Sequence, residues 1–153
     1  MSDHESRALV RRLIEEGFGR GSMGVLDELM AEDVIEHQRG NRSGVEGAKE
    51  VVRTLHRWMS DFTLTVEDMA VNGDIVWTRN RGRGTNTGSI MGNAPTDRHV
   101  EVDVFDVVRL ANGKVVEHWG VADQLGMMLG LGLFPGRDRA GAGEERHGPA
   151  PTD

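Results

Sequence analysis

The sequence contains no cysteine. Disulfide bonds and thiolate chemistry are therefore excluded, and a reducing cytoplasm is a suitable location. No run of apolar residues reaches the length of a membrane span, and the polar N-terminal segment lacks the apolar core of a signal peptide. These absences predict a cytoplasmic protein with no membrane partner.

Positive charge is also scarce: 18 lysines and arginines stand against 25 aspartates and glutamates, a formal net charge of −7. Such an acidic chain binds nucleic acid poorly, so no nucleic-acid partner is expected. Its 153 residues, of which 37% are hydrophobic, suit one domain with its own core. We place that domain at residues 5–133. Residues 134–153 have no apolar periodicity and predict a disordered tail rich in glycine, proline and charge.

Three helices are predicted in the first part of the chain. Apolar residues recur at helical spacing from Leu9 to Phe18, and again over residues 25–30. A short strand over residues 33–37 precedes a third apolar stripe, which ends near Leu55. Ser43, with Glu46 three positions later, fits a capping box at the start of this third helix.

After residue 61 apolar and polar residues alternate, which predicts β-strands. Asn72-Gly73 and Asn112-Gly113 each mark a two-residue hairpin turn, and a short apolar helical segment follows over residues 124–133. Helices come first and paired strands follow, which favours an α+β fold over a parallel α/β fold. We expect three N-terminal helices packed on a curved antiparallel sheet that forms a cone with an internal pocket.

The second hairpin predicts which side chains share a face of the sheet. With Asn112 and Gly113 as the turn, Asp106 lies opposite Trp119, and cross-strand partners point to the same side. His118 then falls on the opposite face, beside Phe105. The face predicted to line the pocket carries two aspartates among mostly apolar side chains: Val102, Val104, Asp106, Val108, Glu117, Trp119, Val121 and Asp123.

The two aspartates are the candidate catalytic groups of this face. Apolar surroundings raise the pKa of a carboxyl group, because desolvation disfavours its charged form. A carboxylate of this kind can take a proton from a carbon acid and return it, so Asp123 and Asp106 are both candidates. A structural role is the alternative for each: Asp106 as a satisfied sheet carboxylate, and Asp123 as the cap of the following helix.

Metal-ligand spacings are missing from the sequence. His118 and Asp123 lie five positions apart, so a regular strand points them to opposite faces, and neither an HxH nor an HExxH pattern occurs. No Ser-His-Asp arrangement is readable either, which leaves nucleophilic catalysis without support. We therefore expect no metal.

Short segments across residues 7–133 match one family pattern: Asp61-Phe62, Glu67-Asp68, Gly73-Asp74, Gly84-Thr85, Thr87-Gly88, Asn112-Gly113-Lys114 and, most specifically, Glu117-His118-Trp119 with Asp123 and Leu125-Gly126. In this combination the chain resembles the SnoaL-like polyketide cyclases and ester cyclases of the nuclear-transport-factor-2-like superfamily. The resemblance implies a cone-shaped α+β fold and acid/base chemistry without any cofactor. It matches Asp123 to the acid/base position, Asp106 to a second polar position, and His37 to a polar residue at the pocket mouth.

Further residues are predicted to contact the substrate. Trp119 offers a flat apolar surface and an N–H donor. Asn86 stands where family members often carry histidine. The predicted substrate-binding set is Trp119, Val104, Val121, Trp58, Asn86 and His118. For Trp119, Trp58 and His118, plain packing remains the alternative.

The resemblance implies an enzyme of the lyase or isomerase type: a cofactor-independent, aldol-type cyclase acting on an apolar or polycyclic polyketide, or on a related small molecule that carries carbonyl groups. Isomerase, dehydratase or epoxide-hydrolase chemistry in the same pocket is an alternative, as is a non-catalytic module that binds an apolar small molecule. A sheet face left exposed in a small domain often packs on a symmetry mate. We therefore expect a homodimer built on the mixed face that bears Phe105 and His118.

Overall fold

The computed structural model describes residues 1–134, in which the elements follow the predicted order. The helices are α1 (Asp3–Arg12), which continues as a π-helical segment (Leu13–Gly19), α2 (Met23–Leu29), α3 (Val45–Trp58) and α4 (Gln124–Gly130). The strands are β1 (Met30–Glu36), β2 (Thr63–Asn72), β3 (Ile75–Thr85), β4 (His99–Ala111) and β5 (Lys114–Ala122). The tail predicted over residues 134–153 lies, apart from Phe134, outside the described residues.

The starts of α1 and α3 differ in how they are capped. Ser2 and Glu5 form a capping box at α1, in which each side chain accepts the other residue's backbone N–H. At α3 the N-cap is Gly44, with a φ of +85° and no side-chain hydrogen bond. The capping box predicted at Ser43 is wrong, because the Ser43 hydroxyl instead accepts the backbone N–H of Glu36 at 3.0 Å. Ser43 therefore anchors the end of β1 rather than the helix.

The five strands form one sheet in the order β1-β5-β4-β3-β2. The neighbours from β2 to β5 are antiparallel, as predicted, whereas β1 runs parallel to β5 at the sheet edge. In this pairing Glu36, the last residue of β1, lies beside His118 of β5. Residues 82 positions apart in the sequence thus become neighbours.

The two hairpin turns lie close to the predicted positions. Asn72 pairs with Ile75, so Gly73 and Asp74 form the first turn, one residue later than predicted. The second turn is Asn112-Gly113, as predicted, and both residues have positive φ values, of 51° and 74°. A two-residue hairpin turn of this kind favours these residue types, because glycine and asparagine tolerate positive φ.

The predicted register of β4 and β5 is wrong beyond the second pair from this turn. Arg109 pairs with Glu117, which leaves Val116 as the extra residue of a β-bulge. Every later pair is shifted by one residue. Because side chains alternate between faces, the part of β5 beyond the bulge presents each side chain on the face opposite to the predicted one.

We call the face of the sheet that packs against the helices the inner face, and the opposite face the outer face. The apolar core lies between the inner face and the helices, and its fully buried members include Val10, Leu26, Val52, Val76 and Val115. Within residues 1–134, no helix is long and apolar enough to cross a membrane. The core does not fill the cone, and the remaining space forms a cavity.

Candidate functional site

A cavity of about 520 Å³ lies between the inner face, α3 and the π-helical segment. That volume is in the range of small-molecule sites. Most of its walls are apolar, with contributions that include Phe18, Leu55, Trp58, Val102, Val104 and Met127. Its polar lining groups include Arg42 and Glu50, whose side chains are exposed, and Glu36, Asp106 and His118, which meet at the junction of β1, β4 and β5. The cavity therefore combines mostly apolar walls with a largely buried charged cluster.

His118 lies at the centre of this cluster, between two carboxylates. Its Nε2 is 3.1 Å from Asp106 Oδ1, and its Nδ1 is 2.8 Å from Glu36 Oε2. The three side chains are between 11% and 17% exposed. Since each ring nitrogen faces a carboxylate oxygen, both must carry a proton for both hydrogen bonds to form. The geometry accordingly favours the imidazolium form of His118.

The pKa of His118 follows from two opposing effects. Burial disfavours the charged ring and lowers its pKa, but the hydrogen bonds to Asp106 and Glu36 and their negative charges outweigh burial and raise it to about 9. His118 is therefore protonated at neutral pH. Two carboxylates and one imidazolium leave the cluster with a formal charge of −1, next to an apolar cavity.

Asp106 is fixed from a second side by Asn80, which is fully buried on β3. Asn80 Nδ2 donates to Asp106 Oδ2 at 2.7 Å and to Thr78 Oγ1 at 3.0 Å. Both carboxylate oxygens of Asp106 thus accept a hydrogen bond, one from His118 and one from Asn80. This arrangement fixes the orientation of the carboxylate while one edge still lines the cavity.

The structure places three of the predicted site residues together with Asp106 at the cavity. Trp58, at the end of α3, and Val104, on β4, line the cavity wall as predicted. His118 also lines it, although the predicted register placed its side chain on the opposite face. The bulge at Val116 accounts for this correction.

Trp119, Val121 and His37 are not part of this cavity but line a groove of about 590 Å³ on the outer face. The bulge again explains the location of Trp119 and Val121, which were predicted to face the pocket. The His37 ring stacks on the Trp119 indole with centroids 4.7 Å apart, and its Nε2 is 2.8 Å from Glu117 Oε1. The His37 ring therefore contacts Trp119 and Glu117 on the outer face, whereas the Asp106 carboxylate bonds to His118 and Asn80 on the inner face.

Asp123, matched by resemblance to the acid/base position, caps α4 instead of facing the cavity. Its Oδ1 accepts the backbone N–H of Gly126 at 2.8 Å, and its side chain is exposed. The helix-cap alternative thus describes its geometry. An exposed carboxylate lacks the desolvation on which its predicted catalytic role depended.

Asn86 is fully buried and has a structural role in the structure. Its Nδ2 donates to the carbonyls of Trp58 and Gly88, and its Oδ1 accepts the backbone N–H and hydroxyl of Thr96. These four bonds use the hydrogen-bonding capacity of the amide. Asn86 therefore ties the loop after β3 to the end of α3, which leaves it no free group for a substrate.

The comparisons with known proteins agree with this geometry. A family model described as SnoaL-like polyketide cyclase matches residues 8–131. The chain belongs to this family. The resemblance found in the short sequence segments is thereby confirmed, and membership supports a cyclase- or isomerase-type role on a small molecule. No protein of curated function matches the chain.

Solved structures place this SnoaL-like chain among similar folds. IdmH from Streptomyces antibioticus, described as a candidate polyketide cyclase, is 32% identical with a TM-score of 0.75, over 82% of this chain and 97% of that one. TsrD from Streptomyces laurentii is 23% identical with a TM-score of 0.80, over 88% and 99%. An epoxide hydrolase from M. tuberculosis, 15% identical with a TM-score of 0.63 over 84% and 90%, shares the fold. The predicted nuclear-transport-factor-2-like fold is confirmed.

Two polar residues of the SnoaL-like cavity, Glu36 and Gln38, were missed by the sequence reasoning. Glu36 is the last residue of β1 and Gln38 lies in the loop that follows, where its backbone N–H donates to Glu36 Oε1 at 2.7 Å. The signal available was a charged residue at the end of a short strand, immediately before a loop. Only the parallel pairing of β1 with β5 shows that this strand end meets Asp106 and His118. Among residues 1–134, no group of three or more histidine or acidic side chains is arranged to hold a metal ion.

Proposed function

We propose that this protein catalyses cofactor-independent acid/base chemistry on an apolar small molecule with carbonyl groups, with aldol-type ring closure as the reaction. The observation that carries the proposal is Asp106. Its carboxylate lines a cavity whose walls are mostly apolar, and it is held in place by His118 and Asn80. A carboxylate that is positioned in this way and partly withdrawn from water is suited to general-base catalysis.

In the proposed reaction Asp106 removes a proton from the carbon next to a carbonyl group of the substrate. The electron pair of the broken C–H bond forms an enolate, whose carbon attacks a second carbonyl group of the same molecule. The new alkoxide takes back the proton that Asp106 had accepted. Atoms and charge balance without an oxidant, a metal or a co-substrate, and the enzyme returns to its starting state.

The cluster around Asp106 suits a base of this kind. His118, cationic at neutral pH, fixes the carboxylate through a hydrogen bond, and Glu36 holds the imidazolium from its other nitrogen. The apolar walls bring the two ends of a folded substrate near each other, and this proximity accounts for part of the rate. We assign Asp106 as the catalytic base and His118 as a positioning residue.

The first test measures removal of the α-proton directly. 2-Tetralone, a bicyclic ketone, is incubated with the protein in D₂O, and loss of its α-proton signal is followed by NMR against a buffer blank. We expect the wild type to accelerate exchange and Asp106→Asn to reduce that acceleration by about 10²- to 10⁴-fold, the range found for a general base.

Asp123→Asn is the matched control, since asparagine caps a helix about as well as aspartate. It should exchange 2-tetralone at the wild-type rate if Asp106 is the base. Full exchange by Asp106→Asn together with loss in Asp123→Asn would restore Asp123 as the acid/base group. Binding of 2-tetralone by the wild type without any exchange would favour a non-catalytic binding module.

The same carboxylate could serve an isomerase, a dehydratase or an epoxide hydrolase. Aldol closure is distinguished from these reactions by its product, a new carbon–carbon bond with no loss of water in the first step. NMR spectroscopy of the products from linear 1,5-diketones, together with their mass, therefore separates the possibilities, because ring closure converts one carbonyl carbon into a carbinol carbon. A cyclised product of unchanged mass supports the cyclase, whereas return of the linear diketone unchanged contradicts it.

A further inference from the structure

We propose that Gln38 binds the reacting oxygen of the substrate, by donating an amide N–H to the carbonyl oxygen as it becomes the enolate oxygen. This inference rests on the proposed function, because it names the group that stabilises the enolate formed by Asp106. It adds a substrate-binding residue to the site and defines the substrate as one with a carbonyl oxygen next to its acidic carbon.

The backbone around Gln38 is fixed, which makes its side chain a positioned group. Its N–H donates to Glu36 Oε1 at 2.7 Å, and its carbonyl accepts from the backbone N–H of Asn41 at 3.2 Å. Gln38, two residues after the end of β1, thus donates its backbone N–H to the carboxylate that also binds His118. Its side chain lines the cavity and is half-buried.

Gly120 shows how close Gln38 comes to the base. A Cβ atom placed on Gly120 would lie 2.3 Å from Gln38 Oε1, 2.8 Å from Asp106 Oδ1 and 2.9 Å from His118 Cε1. The three side chains therefore converge on the space that a larger residue at position 120 would occupy. Because this residue is glycine, the Gln38 amide can stand next to the Asp106 carboxylate.

The hydrogen-bonding state of the amide points to a ligand. With Oε1 against Gly120, the Gln38 Nε2 group carries two N–H donors, and the side-chain amide makes no hydrogen bond to any of residues 1–134. Neighbouring donors are already engaged: His118 uses both ring nitrogens on carboxylates, and Asn80 Nδ2 donates to Asp106 and Thr78. Within residues 1–134 the Gln38 amide donors therefore have no partner, and they belong to a side chain whose Oε1 lies next to Gly120, the residue paired with Asp106.

The charge of the cluster explains why such a donor is needed. Once Asp106 has taken the proton, the charges of Glu36 and His118 balance each other, so an oxygen that gains negative charge nearby is not stabilised by net positive charge from the cluster. Neutral N–H donors aimed at such an oxygen are the usual solution, and removing one commonly costs about 10²- to 10³-fold in rate. An N–H from Gln38 would supply this stabilisation without changing the charge of the site.

The test uses Gln38→Leu, which keeps the approximate size of the side chain and removes its donors. Arg39→Leu, an exposed neighbour in the same loop, is the matched control. Two probes are used: α-proton exchange of 2-tetralone, and equilibrium binding of 2-naphthol, whose oxygen mimics the enolate oxygen of that ketone. We expect Gln38→Leu to slow exchange by about 10²-fold or more. We expect it to weaken 2-naphthol binding by about tenfold, whereas Arg39→Leu leaves both unchanged.

The outcomes separate this inference from the proposed function. Loss of exchange in Asp106→Asn with wild-type exchange and wild-type 2-naphthol affinity in Gln38→Leu would overturn the role of Gln38 and keep the base. No exchange by the wild type above the buffer rate would overturn the proposed function, and the 2-naphthol comparison would still decide whether Gln38 donates to an oxygen. Failure of the wild type to bind 2-naphthol would also overturn the role of Gln38.

Discussion

The two faces of the sheet each carry a histidine beside a glutamate, and the two pairs have very different surroundings. On the inner face His118 is 17% exposed and has carboxylates on both ring nitrogens. On the outer face His37 is 38% exposed, stacks on Trp119 and has one carboxylate partner among residues 1–134, Glu117. The glutamate contact is 2.8 Å long in both. Burial and the second carboxylate, not the contact itself, set the inner pair apart.

Charge on the outer face is distributed over exposed ion pairs. Arg109 bonds to Glu117 and Asp74, and the hydrogen bond from Arg109 is the main reason that the pKa of Glu117 is lowered. Water and salt screen pairs of this kind, so they add little to stability. The comparison teaches that hydrogen-bond partners alone do not identify a reactive site. The inner cluster is distinguished by being partly withdrawn from water beside a cavity.

His118→Phe should give the largest stability change, because it leaves two largely buried carboxylates without their cation. We expect the free energy of unfolding to fall by about 3 kcal/mol at pH 6.5, as for other buried ion pairs that lose one partner. The pH dependence has a defined sign. His118 has a pKa of about 9 when folded and an ordinary value of 6.5, so its contribution is complete below pH 6.5 and is lost as the pH rises through 9.

Urea unfolding at pH 6.5 and pH 9.5, at one chain concentration, measures this difference. The difference in free energy of unfolding between wild type and His118→Phe should be much smaller at pH 9.5 than at pH 6.5. His37→Phe is the matched control, since it keeps an aromatic stack on Trp119 and should change stability by less than about 1 kcal/mol. Equal losses for the two variants would mean that the inner and outer pairs are energetically alike.

The outer face also carries large apolar side chains that are exposed to solvent. They are candidates for the interface of the predicted homodimer. Trp77 is 57% exposed, Phe105 54% and Val121 69%. The predicted interface included His118, which lies on the inner face, whereas Phe105 keeps its predicted position. We therefore expect the interface to contain Phe105 together with Trp77 and Val121. Patches of this kind on small domains commonly mark subunit contacts.

Phe105→Glu should weaken the homodimer by about 30-fold or more, the effect of losing one central aromatic contact. Sedimentation velocity over a range of micromolar concentrations measures the change. Met91→Glu is the control, because Met91 is an exposed apolar residue in the loop after β3. A wild type that is strictly monomeric at these concentrations would show that the outer face has no such partner.

Most of the fold could be predicted from the sequence, because helical and strand periodicities are local properties of the chain. The change from one to the other after Asp61 and the Asn112-Gly113 turn were enough to predict the α+β class. The register of β5 was not predictable in the same way. Val115 and Val116 are both apolar and β-branched, so alternation is compatible with a regular hairpin and with a bulge between Val115 and Glu117.

The candidate site was predictable only in part for the same reason. Asp106 lies on β4, and the bulge is on β5, so the bulge does not change the face on which the Asp106 side chain lies. The structure places it on the cavity wall as predicted. His118 lies beyond the bulge and was assigned to the wrong face. Glu36 and Gln38 join the site through the parallel pairing of β1 with β5, a contact between distant segments that no local pattern records.

Substitutions of Asp123 should give the smallest change in stability, and they separate a structural role from a catalytic role. Asp123 lies after the end of β5 and belongs to neither face of the sheet. As a helix cap, Asp123→Ala should lower the free energy of unfolding by about 1 kcal/mol, while Asp123→Asn should leave it nearly unchanged. Exchange of 2-tetralone should stay at the wild-type rate in both variants, because the Asp123 carboxylate accepts the Gly126 N–H and does not line the cavity. Thermal unfolding and the exchange assay, run on the same samples, test the two statements together. Loss of exchange in the alanine variant with unchanged stability would reverse the assignment, since a cap affects folding first and a catalytic base affects turnover alone.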